Sequence, residues 1–298
     1  MDRLTGFLQK EFQGKGIIKE NILMSDYTSF RTGGPCKMGV FPNTVEDMAR
    51  AVQIIGETKY CVLGNGSNVL FPHKGYDGIV IFTTALKNVA VRDNIITAAC
   101  GAGITGIAGT AYKNSLGGLE FAYGIPGTLG GAVYMNAGAY GGEMSQVVES
   151  STYVAKDGTV HTVNRDEHDF SYRHSVYMDS DRIIVECSMR LIRGNSCEIK
   201  AKMDENIFKR RDKQPLEYPS AGSIFKRPPD NFAGKLISDC GLKGFTIGGA
   251  QVSEKHAGFI INVGGATTDD ILRLIEHIKN EVYKSFAVEL ECEVRYIC

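Results

Sequence analysis

The sequence has 298 residues, 43% of them apolar and 22% charged, proportions typical of soluble globular chains. That excludes a disordered tail or a coiled coil and leaves material for one or two domains at roughly 150 residues each. Lysine and arginine number 33 against 34 aspartates and glutamates, a net charge of -1, so no general attraction to nucleic-acid phosphates is expected. The opening MDRLTGFLQKEFQGKG interrupts its apolar residues with Asp2, Arg3, Lys10 and Glu11. No stretch reaches about 18 consecutive apolar residues, so neither a signal peptide nor a membrane span is expected. Eight cysteines stand in no C-x-x-C or other zinc-like spacing. They read as buried free thiols in a reducing cytoplasm, without a metal site.

In chain order, strand-like KMGVF precedes PNTVEDMARAVQIIGE, where Val45, Met48, Val52 and Ile55 recur at helical spacing and Thr44 with Asp47 suits a capping box. Runs at 59–64 and 78–82 then read as strands. From Gly101 to Gly142 there are thirteen glycines, too many for regular structure, so backbone there must pass close to something. Two β-like runs between 151 and 192 meet at Asp157-Gly158, a hairpin signal. A helix is expected over 199–213 and another over 268–286, the latter with Thr267 and Asp270 as a capping box. In the closing VELECEVRYI, Val288, Leu290, Cys292, Val294 and Tyr296 alternate with Glu289, Glu291, Glu293 and Arg295, a strand with one buried and one charged face.

Three glycine segments bear on function. Gly101, Gly103 and Gly106 form G-x-G-x-x-G after a strand and before a helix, which suits either a Rossmann dinucleotide site or a plain strand-to-helix turn. The second strand of a Rossmann unit is missing, since Glu120 sits between Gly118 and Gly124. In GNGSN, residues 64–68, successive N–H groups can form a nest for a phosphate, although no P-loop lysine follows and a simple turn fits equally. Residues 118–143 mix glycine pairs with Pro126, Asn136 and aromatics, a combination of bare backbone and apolar surface that fits a dinucleotide such as FAD.

FRTGG at 30–34, GNGSN at 64–68, PGTLGGAVYMNAGAYG at 126–141, YRHS at 172–175, AGSIFKRP at 221–228 and ECEVRYI at 291–297 occur in one order. Together they resemble the UDP-N-acetylenolpyruvoylglucosamine reductases (MurB) from about residue 25 to the C-terminus. The short stretch between Arg173 and Ser223 matches the shorter, type II branch, which lacks the tyrosine clamp. The resemblance implies an α+β protein: a two-lobed FAD-binding domain of the vanillyl-alcohol-oxidase (PCMH) type, lobes at 1–86 and 87–193, then an α+β substrate-binding domain at 194–298. It implies non-covalent FAD and NADPH as co-substrate: hydride passes from NADPH to flavin, then to the vinyl carbon of UDP-N-acetylglucosamine enolpyruvate, giving UDP-N-acetylmuramate for peptidoglycan.

By the same resemblance Arg173 stabilises the substrate carboxylate as charge develops, Ser223 donates the proton, and Glu293 polarises the carboxylate or replenishes that proton. From the residues alone, Arg173 reads first as a surface ion-pair partner, Ser223 as a turn residue and Glu293 as one of three glutamates on a solvated face. FAD contacts fall on Arg31, Thr32, Gly64, Asn65, Gly66, Ser67, Asn68, Gly124, Pro126, Gly127, Gly130, Gly131, Asn136 and Gly138. Substrate contacts fall on Tyr172, Lys226, Arg227 and Lys235, the three basic residues being also ordinary surface charge. His256 reads as a packing or hydrogen-bonding residue. Two rival readings are an FAD oxidase using oxygen and a nucleotide-sugar-binding module without turnover; the expected partners are the enolpyruvyl sugar nucleotide and NADPH, with neither nucleic acid nor membrane, and the sequence does not give the oligomeric state.

Overall fold

In the computed structural model, which describes residues 2–298, helices and strands are interspersed along the described residues. Val45–Ile55 is a helix because Met48, Ala51, Val52 and Ile55 share one buried face. Its Thr44 side chain accepts the Asp47 N–H at 3.1 Å. The Asp47 carboxylate turns instead to Lys15 Nζ at 2.7 Å, so the expected box is realised in its Thr44 half. Tyr60–Leu63 pairs in parallel with the end of Tyr76–Phe82, within a four-stranded sheet that also holds Ile18–Leu23 and Pro35–Val40.

A five-stranded sheet runs in the order Val160–Asn164, Val148–Val154, Ile183–Arg190, Ile95–Ala99, Val89–Arg92, antiparallel throughout. The hairpin at Asp157-Gly158 joins its first two members, with Gly158 at φ +83°. The strand leading into G-x-G-x-x-G belongs to this antiparallel sheet, and Gly103 is the N-cap of helix Ile104–Lys113. A Rossmann unit needs parallel neighbours. The motif is therefore a strand-to-helix turn, and Gly101 is small because a side chain would meet the Thr83 carbonyl.

The helices expected over 199–213 and 268–286 are Ser196–Lys213 and Thr268–Phe286. The second carries the complete box: Thr267 Oγ1 accepts from Asp270 N–H at 3.1 Å and Asp270 accepts from Thr267 N–H at 3.0 Å. The closing strand is mostly absent. Only Arg295–Tyr296 pairs regularly, in parallel with Val69–Leu70, and Cys292 forms an isolated bridge with Phe225. Leu290 and Val294 do point inward, but Tyr296 is 43% exposed, because an irregular edge gives no continuous sheet face to cover it.

By contacts the chain forms two units, one of residues up to Glu20, Met38–Asn65 and Gly78–Lys209, the other of Asn21–Lys37, Gly66–Asp77 and Arg210–Cys298. The first has a core built on Met48, Ile79, Ile96, Ile107, Val148 and Val185, and the second a smaller core around Ile224, Ile237, Ile260, Ile271 and Ile278. All eight cysteines are free. Three of them, Cys36, Cys100 and Cys187, are buried as expected, whereas Cys197, in the first turn of the helix from Ser196, and Cys298, just past the last strand, are exposed. Among the described residues no helix is long and apolar enough to cross a membrane, and no three metal-ligating side chains gather.

One polar group lies deep in the first unit. His168 is fully buried, its Nε2 2.7 Å from Ser151 Oγ, which in turn is 2.6 Å from Tyr177 OH; its Nδ1 faces the Arg165 carbonyl at 3.2 Å. Phe170 stacks on the ring at 4.8 Å. Burial outweighs the favourable carbonyls and holds the imidazole pKa below its usual value. The unfolded chain therefore takes up a proton first as pH drops, and this group's stability is full above about pH 6.5 and lost as pH falls through the folded-state value. The apparent melting temperature should drop as pH falls below about 6.5, less steeply in His168→Gln than in the parent. Equal slopes in the two proteins would remove His168 from the explanation.

Candidate functional site

In the first unit three glycine-containing loops meet. Ile104 N–H donates to the Gly127 carbonyl at 3.1 Å, Leu129 N–H to Ala102 at 2.8 Å and Gly130 N–H to Cys100 at 2.8 Å, which fastens the turn 100–104 to the loop 127–130. Asn65 Nδ2 donates to the Pro126 carbonyl at 3.2 Å, bringing the end of GNGSN to the same place. Thr105 Oγ1 accepts from Gly124 N–H and donates to the Ile125 carbonyl. Thr128 caps the short helix Leu129–Tyr134 by accepting from Gly131 N–H at 3.4 Å. Gly64, Asn65, Gly124, Pro126, Gly127, Gly130 and Gly131 thus share one region. Thr105 and Thr128 belong to it too, although the motif reading passed over them; a threonine directly before a Leu-Gly-Gly helix start was the available signal.

The glycines there have different causes. At Gly64 a Cβ would collide with Thr128 Oγ1, and at Gly130 it would crowd Cys100 Cβ, so both are fixed by packing. At Gly131, which is exposed, the nearest atom to an added Cβ is Thr128 Oγ1 at 3.5 Å, an ordinary contact. Nothing inside the protein demands glycine at 131, and bare backbone there is what the close approach of an anionic group uses.

Further along the same unit, Tyr172 and Arg173 occupy the centre of a tight turn. Ser171 and His174 exchange N–H···O bonds at 3.3 and 3.1 Å. Arg173 has φ +56°, a left-handed conformation that costs a non-glycine residue about 1–2 kcal/mol. Its Nη2 donates to the Gly138 carbonyl at 3.2 Å, and its guanidinium lies 5.1 Å from the centre of the half-exposed Tyr172 ring. His174 faces the Asp169 carbonyl at 3.1 Å and Asp179 at 3.3 Å, contacts that raise its pKa. Asn136 is wholly buried, with Nδ2 donating to the Ser171 carbonyl at 3.0 Å and Oδ1 accepting Ser145 N–H at 2.9 Å.

The second unit holds the remaining motifs. Thr32 is 3% exposed, and its Oγ1 has no hydrogen-bond partner among the described residues, an omission that costs about 1–3 kcal/mol unless a ligand atom supplies the bond. The neighbouring Arg31 is exposed at φ +56°. Gly66 has φ +60°, and a Cβ there would strike the Tyr27 carbonyl. Ser29 N–H donates to the Gly66 carbonyl at 3.0 Å, so FRTGG and the GSN half of the glycine loop are neighbours. The orphaned buried hydroxyl of this unit fits a polar contact to a bound FAD, and, taken by itself, the open glycine backbone of the first unit fits the approach of its anionic group.

Ser223 and Glu293 are carried by adjacent backbone segments. Ile224 N–H donates to Gly258 at 3.0 Å while its carbonyl accepts from Glu293 N–H at 2.8 Å, and Ser223 bridges to Phe259. Asn68 Nδ2 donates to the Glu293 carbonyl at 3.1 Å, which ties the glycine loop to the C-terminal segment. Of the three glutamates, Glu289 and Glu291 are exposed and Glu293 is half-buried, a distinction that alternation alone did not make.

Lys226 is paired with Glu291, and Lys235 with Asp239 one helical turn away. Arg227 lies over the Phe232 ring at 4.1 Å and donates to the Asn231 carbonyl at 3.3 Å. Each of the two lysines thus faces a carboxylate of its own. His256 accepts Gly258 N–H at 3.1 Å and packs edge-on against Phe259, with burial lowering its pKa, a hydrogen-bonding and packing role. Asn262, unmarked in the motif reading, binds the Phe30 carbonyl at 3.1 Å and the N–H groups of Gly264 and Ala266.

Residues 214–297 match the family model for the C-terminal domain of UDP-N-acetylenolpyruvoylglucosamine reductase, and residues 36–164 match the FAD binding domain model. A UDP-N-acetylenolpyruvoylglucosamine reductase of Clostridium novyi is 48% identical over 297 residues, covering 99% of this chain and 95% of the relative. The chain belongs to the UDP-N-acetylenolpyruvoylglucosamine reductase family. Its counterpart in Caldanaerobacter subterraneus is 46% identical, with 97% of this chain and 96% of that one covered. A crystal structure of a UDP-N-acetylenolpyruvylglucosamine reductase from Thermus caldophilus superposes with a TM-score of 0.83 at 33% identity, over 94% of this chain and all of that one. Beyond the family, Phl p 4.0202, a glucose dehydrogenase, gives a TM-score of 0.51 at 15% identity, with 76% of this chain and 53% of that one covered. That likeness concerns the fold, which is α+β with an FAD-binding part of the vanillyl-alcohol-oxidase type.

Proposed function

We propose that this protein reduces UDP-N-acetylglucosamine enolpyruvate to UDP-N-acetylmuramate with NADPH as co-substrate and non-covalently bound FAD, in cytoplasmic synthesis of peptidoglycan precursors. The observation that carries the reading is near-full-length identity of 46–48% to reductases of that name. The lobes at 1–86 and 87–193 bind the cofactor and 194–298 the substrate in this reading. The short stretch between Arg173 and Ser223 supports reading the chain as a member of the shorter, type II branch.

FAD, when bound, supplies acceptance and donation of a hydride. Gly64 to Asn68, Gly124 to Gly131 and Gly138 would hold it by bare backbone, with Arg31 and the unsatisfied Thr32 hydroxyl as polar contacts. The Arg173 fork pairs with the substrate carboxylate as negative charge accumulates there. Ser223 holds the proton that the adjacent carbon receives, and Glu293 restores it. Tyr172 stacks against Arg173 and faces the substrate, while Lys226, Arg227 and Lys235 meet its diphosphate once freed from their present partners.

The test is an anaerobic visible spectrum of the purified protein, with NADPH added first and UDP-N-acetylglucosamine enolpyruvate second. Flavin bands should bleach and then return. Bound flavin that NADPH leaves oxidised would overturn the reductase reading in favour of an oxidase; protein that retains no FAD after reconstitution would overturn the cofactor. The choice among the glutamates has its own check. Glu293→Gln should lose at least about tenfold in turnover, a small share of a general acid–base contribution. Glu291→Gln removes only the exposed pair with Lys226, worth roughly 0–1 kcal/mol, and should retain near-parental activity. Equal turnover in the two variants would withdraw the assignment.

A further inference from the structure

We infer that Asn136 is a positioning residue for Arg173: it holds the turn that aims the guanidinium, and does not serve as a cofactor contact. This rests on the reductase reading for its kinetic consequence and on geometry for everything else.

Arg173 is a long side chain on a two-residue turn with no regular strand on either side, and its own φ of +56° is unfavourable. Left alone, such a turn relaxes toward commoner backbone conformations and carries the guanidinium with it. What closes it is the pair of bonds between Ser171 and His174. The Ser171 carbonyl in that pair is also the one that Asn136 Nδ2 grips at 3.0 Å. From the other end of the amide, Oδ1 accepts Ser145 N–H at 2.9 Å. One fully buried side chain therefore spans from the turn to the segment after Gly142-Glu143, and its oxygen and nitrogen both have protein partners.

Two further bonds fix the same turn to the same stretch. Ser175 Oγ donates to the Tyr134 carbonyl at 2.7 Å, and Arg173 Nη2 donates to the Gly138 carbonyl at 3.2 Å. Asn136 itself has φ +41°, a conformation that asparagine and aspartate adopt more readily than other side chains. Its identity is therefore specified twice, by backbone and by the need for one donor and one acceptor on a short planar group.

The distinguishing variant is Asn136→Asp in the FAD-loaded full chain, since aspartate keeps the shape, the acceptor and the tolerance for positive φ but has no N–H for Ser171. Substrate-driven reoxidation should slow by about 10- to 100-fold, the scale of a misplaced reacting group, while flavin content and reduction by NADPH stay at parental values. Combined with Arg173→Lys, it should add little further loss, because both changes act on one interaction. Amide hydrogen exchange over residues 168–178 should quicken. Ser175→Ala, a milder loosening of the same turn, should do likewise to a smaller degree and serves if Asn136→Asp folds poorly. Lost flavin or slowed NADPH reduction in Asn136→Asp would overturn the inference and make the residue a cofactor contact, and full multiplication of the two losses in the double variant would also overturn it. If the parent protein itself fails to be reoxidised by the enolpyruvyl sugar, the reductase reading falls, and exchange over 168–178 then decides alone: unchanged protection would sink the positioning role.

Discussion

Replacing Ser223 by alanine is expected to leave reduction of the flavin by NADPH intact and to slow its reoxidation by UDP-N-acetylglucosamine enolpyruvate by roughly 10² or more, the scale of a lost general acid. The separation follows from what the substitution removes. Ser223 sits on backbone already fixed by its bridge to Phe259, by Ile224 N–H on Gly258 and by Glu293 N–H on the Ile224 carbonyl. Deleting one hydroxyl leaves that frame standing. A serine is a weak acid in water, so it serves only where the accepting carbon is strongly basic and the hydroxyl is held in place. Stopped-flow absorbance for each half-reaction checks this; parental rates of substrate-driven reoxidation would reject Ser223 as the donor.

Arg173→Lys should cost about 10²- to 10³-fold in turnover, comparable to the loss of one preorganised donor at a developing anion. Lysine preserves the charge but not the planar fork, and it cannot bind the Gly138 carbonyl and a carboxylate with the same geometry. If Arg173 only attracted the substrate, KM would rise and kcat would hold. If it stabilises charge that appears during reaction, kcat falls, and steady-state kinetics under saturating substrate distinguishes the two. A parental kcat in Arg173→Lys would return the residue to the surface ion-pair role that its sequence context alone favoured.

Legibility in the sequence tracked how local each feature is. Helix Thr268–Phe286 was readable because its stripe of Ile271, Ile275, Ile278 and Val282 and its Thr267–Asp270 box lie within one segment. The hairpin at Asp157-Gly158 was readable for the same reason. The closing segment was not: its apolar alternation is real, but pairing depends on what Val69–Leu70 and Phe225 offer, and they offer only short bridges. The six ordered motifs identified the family, since each holds residues spaced for a particular backbone path. They did not say which side chains face a ligand and which hold the loops together.

Composition, periodicity and motif order by themselves determined an α+β chain of this reductase family and its three longest helices, and they proposed the residues on which chemistry would fall. Tertiary structure alone decided that GNGSN is divided between two compact units and that Thr105 and Thr128 knit three glycine loops. It also decided that Glu293 is more sheltered than Glu289 and Glu291, and that Asn136 is buried on a turn 35 residues away in sequence. The physical reason is the range of the forces involved. Caps and helical stripes are settled among residues a few positions apart, whereas burial and the partners of a buried amide depend on segments that only folding brings together.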